Sequence, residues 1–319
     1  MAEGLFVRGF EEERTLLDAS VSVGEVRQLG DGRAALFVTK VGARDAAGSS
    51  GDYGEWRTSG EYDLPLASSV VLLDGARAYW DHSANTVTYR RNNDRDFYLG
   101  RTRGDSTGNV VRVELNIDPR YDWQLGRDPH DTVIVGTQGL NTMGVFERGG
   151  AYKFLVSATN EAQKMDILGK DGFALGANAI IEFDIDVVDD GAGTVVDVSI
   201  GVANATHATD ADTITDSLFM HLNANDVNIY FESDDGTTEV AATDSTIDYT
   251  AGTRFHVVMD MRNPADVQIY VNGANVLPAT VFNVNASVAT WFPLIHIEKS
   301  ASTDAYELDV DDFRVRYMD

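Results

Sequence analysis

Ala179-Ile180-Ile181-Glu182-Phe183-Asp184-Ile185-Asp186-Val187-Val188 decides how the second half of this chain folds. Ile181, Phe183, Ile185 and Val187 fall on one side of an extended backbone, and Glu182, Asp184 and Asp186 on the other. That period of two is what a half-buried strand requires; a helix would scatter the same apolar residues around its circumference. Comparable runs lie on both sides of it, over 152–158, 194–203, 217–223, 227–233, 254–262, 267–272, 290–299 and 305–317. Asp234-Asp235-Gly236 and Asn272-Gly273 supply the positive-φ residues of tight hairpin turns between them. About nine antiparallel strands over residues 151–319 predict a two-sheet jelly roll. One stretch, around 159–168, reads as helix instead.

Moving toward the N-terminus, the strands become shorter: 34–40, 55–63, 76–81, 86–90, 97–100 and 109–116. Turn clusters such as Gly48-Ser49-Ser50-Gly51-Asp52 and Asp105-Ser106-Thr107-Gly108-Asn109 punctuate them. Residues 19–117 therefore read as a small β-barrel or sandwich, and the chain as all-β. Residues 1–18, with Phe6 and Phe10, read as an extended arm that orders on a partner, or as a first short element of the domain. Residues 118–150, with Asp118-Pro119, Asp128-Pro129-His130 and a Gly-rich run, read as a connector holding one strand near 132–135.

The net charge of -26 argues against a phosphate-backbone partner, because nucleic-acid binding rests on Lys and Arg. Residues 1–130 hold 16 Lys/Arg against 21 Asp/Glu, whereas residues 131–319 hold 9 against 30, so two surfaces with different tasks are expected. There is no Cys, which excludes disulfides, thiolate metal sites and cysteine nucleophiles. No apolar run approaches the roughly 20 residues of a membrane helix. Met1-Ala2-Glu3-Gly4-Leu5 lacks the basic and apolar regions of a signal peptide, so synthesis in a cytoplasm is expected.

Two resemblances sharpen these readings. Gly60-Glu61-Tyr62-Asp63-Leu64-Pro65-Leu66, Leu73-Asp74-Gly75-Ala76-Arg77-Ala78-Tyr79-Trp80-Asp81, Thr86-Val87-Thr88, Leu99-Gly100-Arg101 and Val110-Val111-Arg112-Val113-Glu114-Leu115 follow one another in an order that resembles a phage capsid decoration (cement) domain. Arg101 departs from that family, which has a small residue there. The resemblance implies a homotrimer seated on the outer capsid surface of a virion, bound to the major capsid protein and stabilising the shell. Arg254-Phe255-His256-Val257-Val258-Met259-Asp260, Val267-Gln268-Ile269-Tyr270-Val271-Asn272-Gly273 and Leu308-Asp309-Val310-Asp311-Asp312-Phe313-Arg314-Val315 are similar to the strands of concanavalin A-like jelly rolls of the laminin-G and lectin type. That fold hosts lectins, glycosidases and plain spacers alike.

The expected protein is a structural, non-enzymatic capsid decoration protein with an outward lectin-like domain. Phe6, Phe10, Trp80 and Trp123 are its candidate capsid or oligomer contacts. The alternative is a lectin that attaches to surface glycans, with Trp291 a stacking residue if it is exposed and a core residue otherwise. A glycoside hydrolase comes third: Glu182-Phe183-Asp184-Ile185-Asp186 approximates the E-x-D-x-E strand of jelly-roll glucanases, whose two carboxyls must lie about 5–5.5 Å apart. Asp186 is one methylene short for that role, and a solvated strand face explains the pattern as well. No cofactor is expected. Asp210 with Asp212, Asp234 with Asp235, and Asp309 with Asp311 and Asp312 offer oxygens suited to Ca²⁺, without a complete binding loop. The six histidines, among them His221, His256 and His296, are read as structural residues.

Overall fold

The computed structural model describes residues 5–8, 12–137, 139–146, 149–191 and 193–317, with side chains described over 12–137, 152–191 and 193–317. The chain divides into two compact units, 1–120 and 121–319, both built from antiparallel β-sheet.

Among the described residues, the first unit has ten strands: β1 (Leu5–Arg8), β2 (Glu12–Leu16), β3 (Val26–Gln28), β4 (Ala34–Lys40), β5 (Tyr53–Arg57), β6 (Glu61–Pro65), β7 (Arg77–Asp81), β8 (Thr86–Thr88), β9 (Phe97–Thr102) and β10 (Val110–Leu115). They form a six-stranded sheet in the order β1-β6-β10-β9-β7-β8 and a four-stranded sheet β2-β5-β4-β3. Tyr62, Leu64, Trp80, Leu99, Val111 and Val113 fill the core between them. A smaller cluster centres on Phe37 and Trp56, which meet edge to face at 5.1 Å. Gly100 is required where it stands, because a Cβ there would lie 2.0 Å from the Glu114 carbonyl oxygen on the neighbouring strand. Arg101 is accommodated by an ion pair to Glu114 at 2.8 Å.

The expected arm is part of this unit. β1 pairs with β6, Phe6 opposite Tyr62, and β2 pairs with β5, so these two segments of the arm find partners in the ladder rather than on another molecule. Phe10 lies outside the described residues, and of Phe6 only the backbone is described.

The second unit continues with β11 (Trp123–Gln124), β12 (His130–Val135), β13 (Gly139–Phe146), β14 (Gly149–Val156), β15 (Glu161–Gly169), β16 (Ala179–Asp189), β17 (Val196–Ala203), β18 (Asp216–Asn223), β19 (Asn228–Asp235), β20 (Glu239–Asp248), β21 (Phe255–Asp260), β22 (Gln268–Val271), β23 (Ala274–Val276), β24 (Phe292–Ser302) and β25 (Tyr306–Tyr317). One sheet runs β12-β15-β24-β17-β18-β19-β20; the other runs β13-β14-β25-β16-β21-β22-β23, with β11 added alongside β25. Their inner faces share one core. Ile181, Phe183, Ile185 and Val187 point into it from one sheet, and Val198, Ile200, Met220, Ile295 and Ile297 from the other. This is the jelly-roll sandwich that the alternation in 179–188 called for.

Two expectations fail here for identifiable reasons. The connector expected over 118–150 carries strands of the second unit from 123 onward: β11, β12 and β13 hydrogen-bond to β25, β15 and β14. Nor is 159–168 a helix. Met165 and Ile167 bury every second side chain while β15 pairs between β12 and β24, so tertiary pairing overrides the helix propensity of Glu161, Ala162, Gln163 and Lys164.

Candidate functional site: the polar face of the seven-stranded sheet

The sheet β12-β15-β24-β17-β18-β19-β20 turns its apolar side chains to the core, and its other face carries three rows set by strand register. The middle row runs straight across six strands: Asp166, His296, Ser199, His221, Tyr230 and Asp244 lie opposite one another in succession. Beside it run Lys164, Glu298, Asp197 and Asn223. On its other side lie Leu168, Leu294, Gly201, Phe219 and Glu232. Directly opposite residues of an antiparallel pair share a face, so these rows form one continuous surface.

The loop 204–215 lies over the apolar end. Its Ala211 and Ile214 pack with Ala203, Phe219 and Leu294. Asn204 Nδ2 donates to Asp216 at 2.7 Å, and the Lys164 ammonium donates to the His207 carbonyl. The same loop brings Asp212 to His221, Oδ1 to Nδ1 at 3.4 Å.

Two buried imidazoles therefore flank Ser199. His221 has Nδ1 3.0 Å from the Ser199 hydroxyl oxygen and Nε2 2.9 Å from Glu232. His296 has Nδ1 2.6 Å from Asp166 and Nε2 3.4 Å from Glu298, and Asp166 also forms an ion pair with Lys164 at 2.7 Å. Burial opposes charge on His296, but its hydrogen bonds to Asp166 and Glu298 prevail and push it up to about 9. For His221, too, burial works against the charge, and the bond to Glu232 with the nearby Asp212 and Asp197 raises it above the ordinary value. The carboxylates around them favour the charged form of both rings. Asp197, 4.0 Å from His221, is pushed up to about 6 by burial, against the pull of that imidazole.

Toward solvent the face is acidic: the side chains of Glu298, Asp197 and Asp212 are 21, 33 and 46% exposed. Half-buried Tyr230 lies opposite His221 on the neighbouring strand, its hydroxyl donating to Asp226 at 2.9 Å and accepting from Asn228 Nδ2 at 3.1 Å. Asp197, Asp212 and His221 offer three ligand atoms within 4.8 Å of one another. A divalent cation there would require His221 to surrender its Nδ1 contact with Ser199; with the proton kept, the imidazolium itself supplies the balancing charge.

The residues singled out from sequence fall elsewhere. Trp80 is 1% exposed in the core of the first unit, and Trp123 is fully buried in the second, edge to face with Phe313 at 5.3 Å. Neither is available as a capsid or oligomer contact. Trp291 is also core, its indole N–H donating to Ser287 at 3.1 Å, so it offers no ring to a sugar. Glu182 lies between Arg314, at 2.7 Å, and Arg316. Burial would raise its pKa, but the two guanidiniums hold it well below the carboxylate range, so it carries no proton to donate. Asp184 pairs with His256 at 3.0 Å. The exposed face inferred for this strand is in fact a charge-paired, largely buried one. A bulge in β25 sets it up: Asp312 takes φ 56, returning Phe313 to the core while Arg314 and Arg316 stay on the side of Glu182. The paired aspartates expected to offer Ca²⁺ oxygens serve locally. Asp210 accepts the Asp212 N–H, Asp235 accepts the N–H groups of Thr237, Thr238 and Ala286, and Asp311 and Asp312 pair with Arg254 and Arg314.

The signal that sequence reasoning missed is the combination of Asp166, Ser199, His221, Glu232 and His296. Each lies on a different strand, and only the register brings them into one network.

No protein-family model matches this chain. No curated protein matches it either. Among solved structures, the Emp47p carbohydrate recognition domain aligns over 61% of this chain and 91% of its own, with 12% identity and a TM-score of 0.42. The binding domain of botulinum neurotoxin DC, in complex with rat synaptotagmin II, aligns over 61% of this chain and 45% of its own, with 14% identity and a TM-score of 0.39. A conserved carbohydrate esterase from Shiga toxin-encoding bacteriophage phi24B aligns over 59% of this chain and 90% of its own, with 12% identity and a TM-score of 0.38. Likenesses this distant carry no argument about what the chain does, and the jelly-roll assignment rests on the sheet order. The capsid-decoration resemblance of residues 19–117 finds no support among them.

Proposed function

We propose that the second unit binds carbohydrate on the polar face of its seven-stranded sheet, with Asp197, Asp212 and Glu298 as hydroxyl acceptors and Tyr230 beside them. The observation that carries this reading is the layering of that face. Partly exposed carboxylates sit directly over imidazoles that are buried and fixed by ion pairs. Neighbouring, partly exposed carboxylates are suited to adjacent sugar hydroxyls, which donate in pairs, and a half-buried tyrosine ring gives an apolar sugar face something to lie against. A polyanion is disfavoured by the same charges. The reading is one of binding rather than catalysis: Ser199 is 1% exposed beneath the network, and Glu182 is locked by two arginines.

A glycan array probed with the full chain tests this. Binding by the parent, lost in Asp197→Asn and Asp212→Asn while the melting temperature holds, is the expected result; a parent that binds nothing on the array overturns it. Capsid attachment by the first unit is a companion proposal that rests only on the motif order in 60–115. Co-sedimentation with undecorated shells tests it, and failure to sediment would end it.

A further inference from the structure

Lys299 occupies a position where β24 should be apolar. It follows Ile295 and Ile297 on the core-facing side of the strand and is only 2% exposed. Its ammonium meets four backbone carbonyls: Ser157 at 2.6 Å, Thr159 at 3.0 Å, and Ser302 and Asp304 at 3.1 Å each. The first two belong to the turn between β14 and β15; Ser302 closes β24 and Asp304 lies in the turn that leads to β25. The two turns each join one sheet of the sandwich to the other, so the ammonium ties the sheets at one end.

An ammonium has three N–H groups, and here it faces four acceptors. The cage is thus matched to a compact positive charge rather than to a set of directed donors. Burial depresses the Lys299 pKa, and Asp304 and Glu161 contribute attraction from farther out. A ring of main-chain carbonyls is also how proteins replace the hydration shell of potassium. We infer that residues 157–159 and 302–304 form a monovalent-cation site whose occupant is the tethered ammonium of Lys299. Shortening the side chain should convert this chain into one that takes up a free cation of similar size: potassium, rubidium or ammonium.

The experiment is thermal unfolding of the full chain in KCl, RbCl, NH₄Cl, LiCl and choline chloride at one ionic strength. The parent should melt at the same temperature in all five. Lys299→Ala should melt lower in choline chloride and recover in the first three salts, by about 3–6 °C for each tenfold rise in concentration above the dissociation constant. LiCl should not restore it, because a small, strongly hydrated ion cannot be held by a cage spaced for ammonium. Lys299→Met, whose stem still fills the site, should be destabilised and deaf to potassium. A Lys299→Ala protein indifferent to the cation overturns the inference, as does a parent that responds as strongly. If Lys299→Ala does not fold in choline chloride, its refolding yield in KCl answers the same question, and equal yields, zero included, overturn it.

Discussion

Raising the pH through the neutral range should destabilise the second unit, and His296 sets the size of the effect. Its imidazole is 1% exposed, lies 2.6 Å from Asp166, and is held near 9 although burial works against the charge. In the unfolded chain it returns to about 6.5. A folded-state value above the unfolded one means that the charge stabilises the fold fully below about pH 6.5 and that this stabilisation is lost as pH rises through about 9. At about 1.4 kcal/mol per tenfold difference in proton affinity, the loss is about 3 kcal/mol, with no discount for solvent because the pair is buried. His221, raised by Glu232, acts in the same direction. Asp311, pushed up to about 7 by burial, adds a decline below that value which any His296 variant shares. Urea unfolding followed by tryptophan emission, from about pH 6.5 to about 9.5, measures the slope. His296→Gln should start less stable and lose about 3 kcal/mol less across that range. A parent profile that is flat, or a variant that keeps the whole slope, refutes the buried-imidazolium account.

Three further perturbations follow from the packing. Trp123→Ala should cost about 3–5 kcal/mol and leave the solution mass unchanged, since the ring packs on Phe313 and donates to the Pro129 carbonyl at 3.2 Å; a change of mass without loss of stability would return it to an interface role. Gly201→Ala should cost about 1–3 kcal/mol in thermal melts, because the new Cβ would lie 2.1 Å from the Leu218 carbonyl oxygen and force β17 from β18; a neutral substitution would mean the two strands part easily. Glu182→Gln leaves Arg314 and Arg316 buried against a neutral amide and should cost about 3–5 kcal/mol; an unchanged melting temperature would show the pair to be worth nothing.

The sequence made the strands of the second unit legible because one side of each faces a common core. Ile181, Phe183, Ile185 and Val187 announce β16 by themselves, and β4 falls where Ala34–Lys40 was expected. It could not show what the other side meets. Glu182 looks solvated until a bulge in β25, well over a hundred residues later, delivers two arginines to it. The same blindness hid the histidines. His221 and His296 are each unremarkable alone, and become a site only because β17 runs between their strands with Ser199 opposite both. Segments at sheet edges were the hardest to read. β11 and β12 carry little alternation, since most of β12 is exposed on both sides, and their order comes from hydrogen bonds to β25 and β15.

The outer faces of the two sheets hold most of their buried carboxylates by different means, and that difference bears on where the proposed binding would fall. Beside β16 and β25 the counterions to Glu182, Asp311 and Asp312 are arginines, which stay charged at any pH the fold survives, and only Asp184 takes an imidazole, that of His256. Such a face is fixed once formed, and exchanging its partners for a ligand would strand a buried guanidinium. Across β24, β17 and β18 the counterions are imidazoles, and the carboxylates above them remain partly open to water. There a ligand hydroxyl can replace water on Asp197 or Asp212 without breaking the pairs beneath, because His221 keeps Glu232 and His296 keeps Asp166. If the proposed binding holds, recognition falls to the face of Asp197, Asp212 and Glu298, and rigidity to the face that Arg314, Arg316 and Arg254 hold. Protonating Asp197 near pH 6 should weaken ligand binding before either network is disturbed.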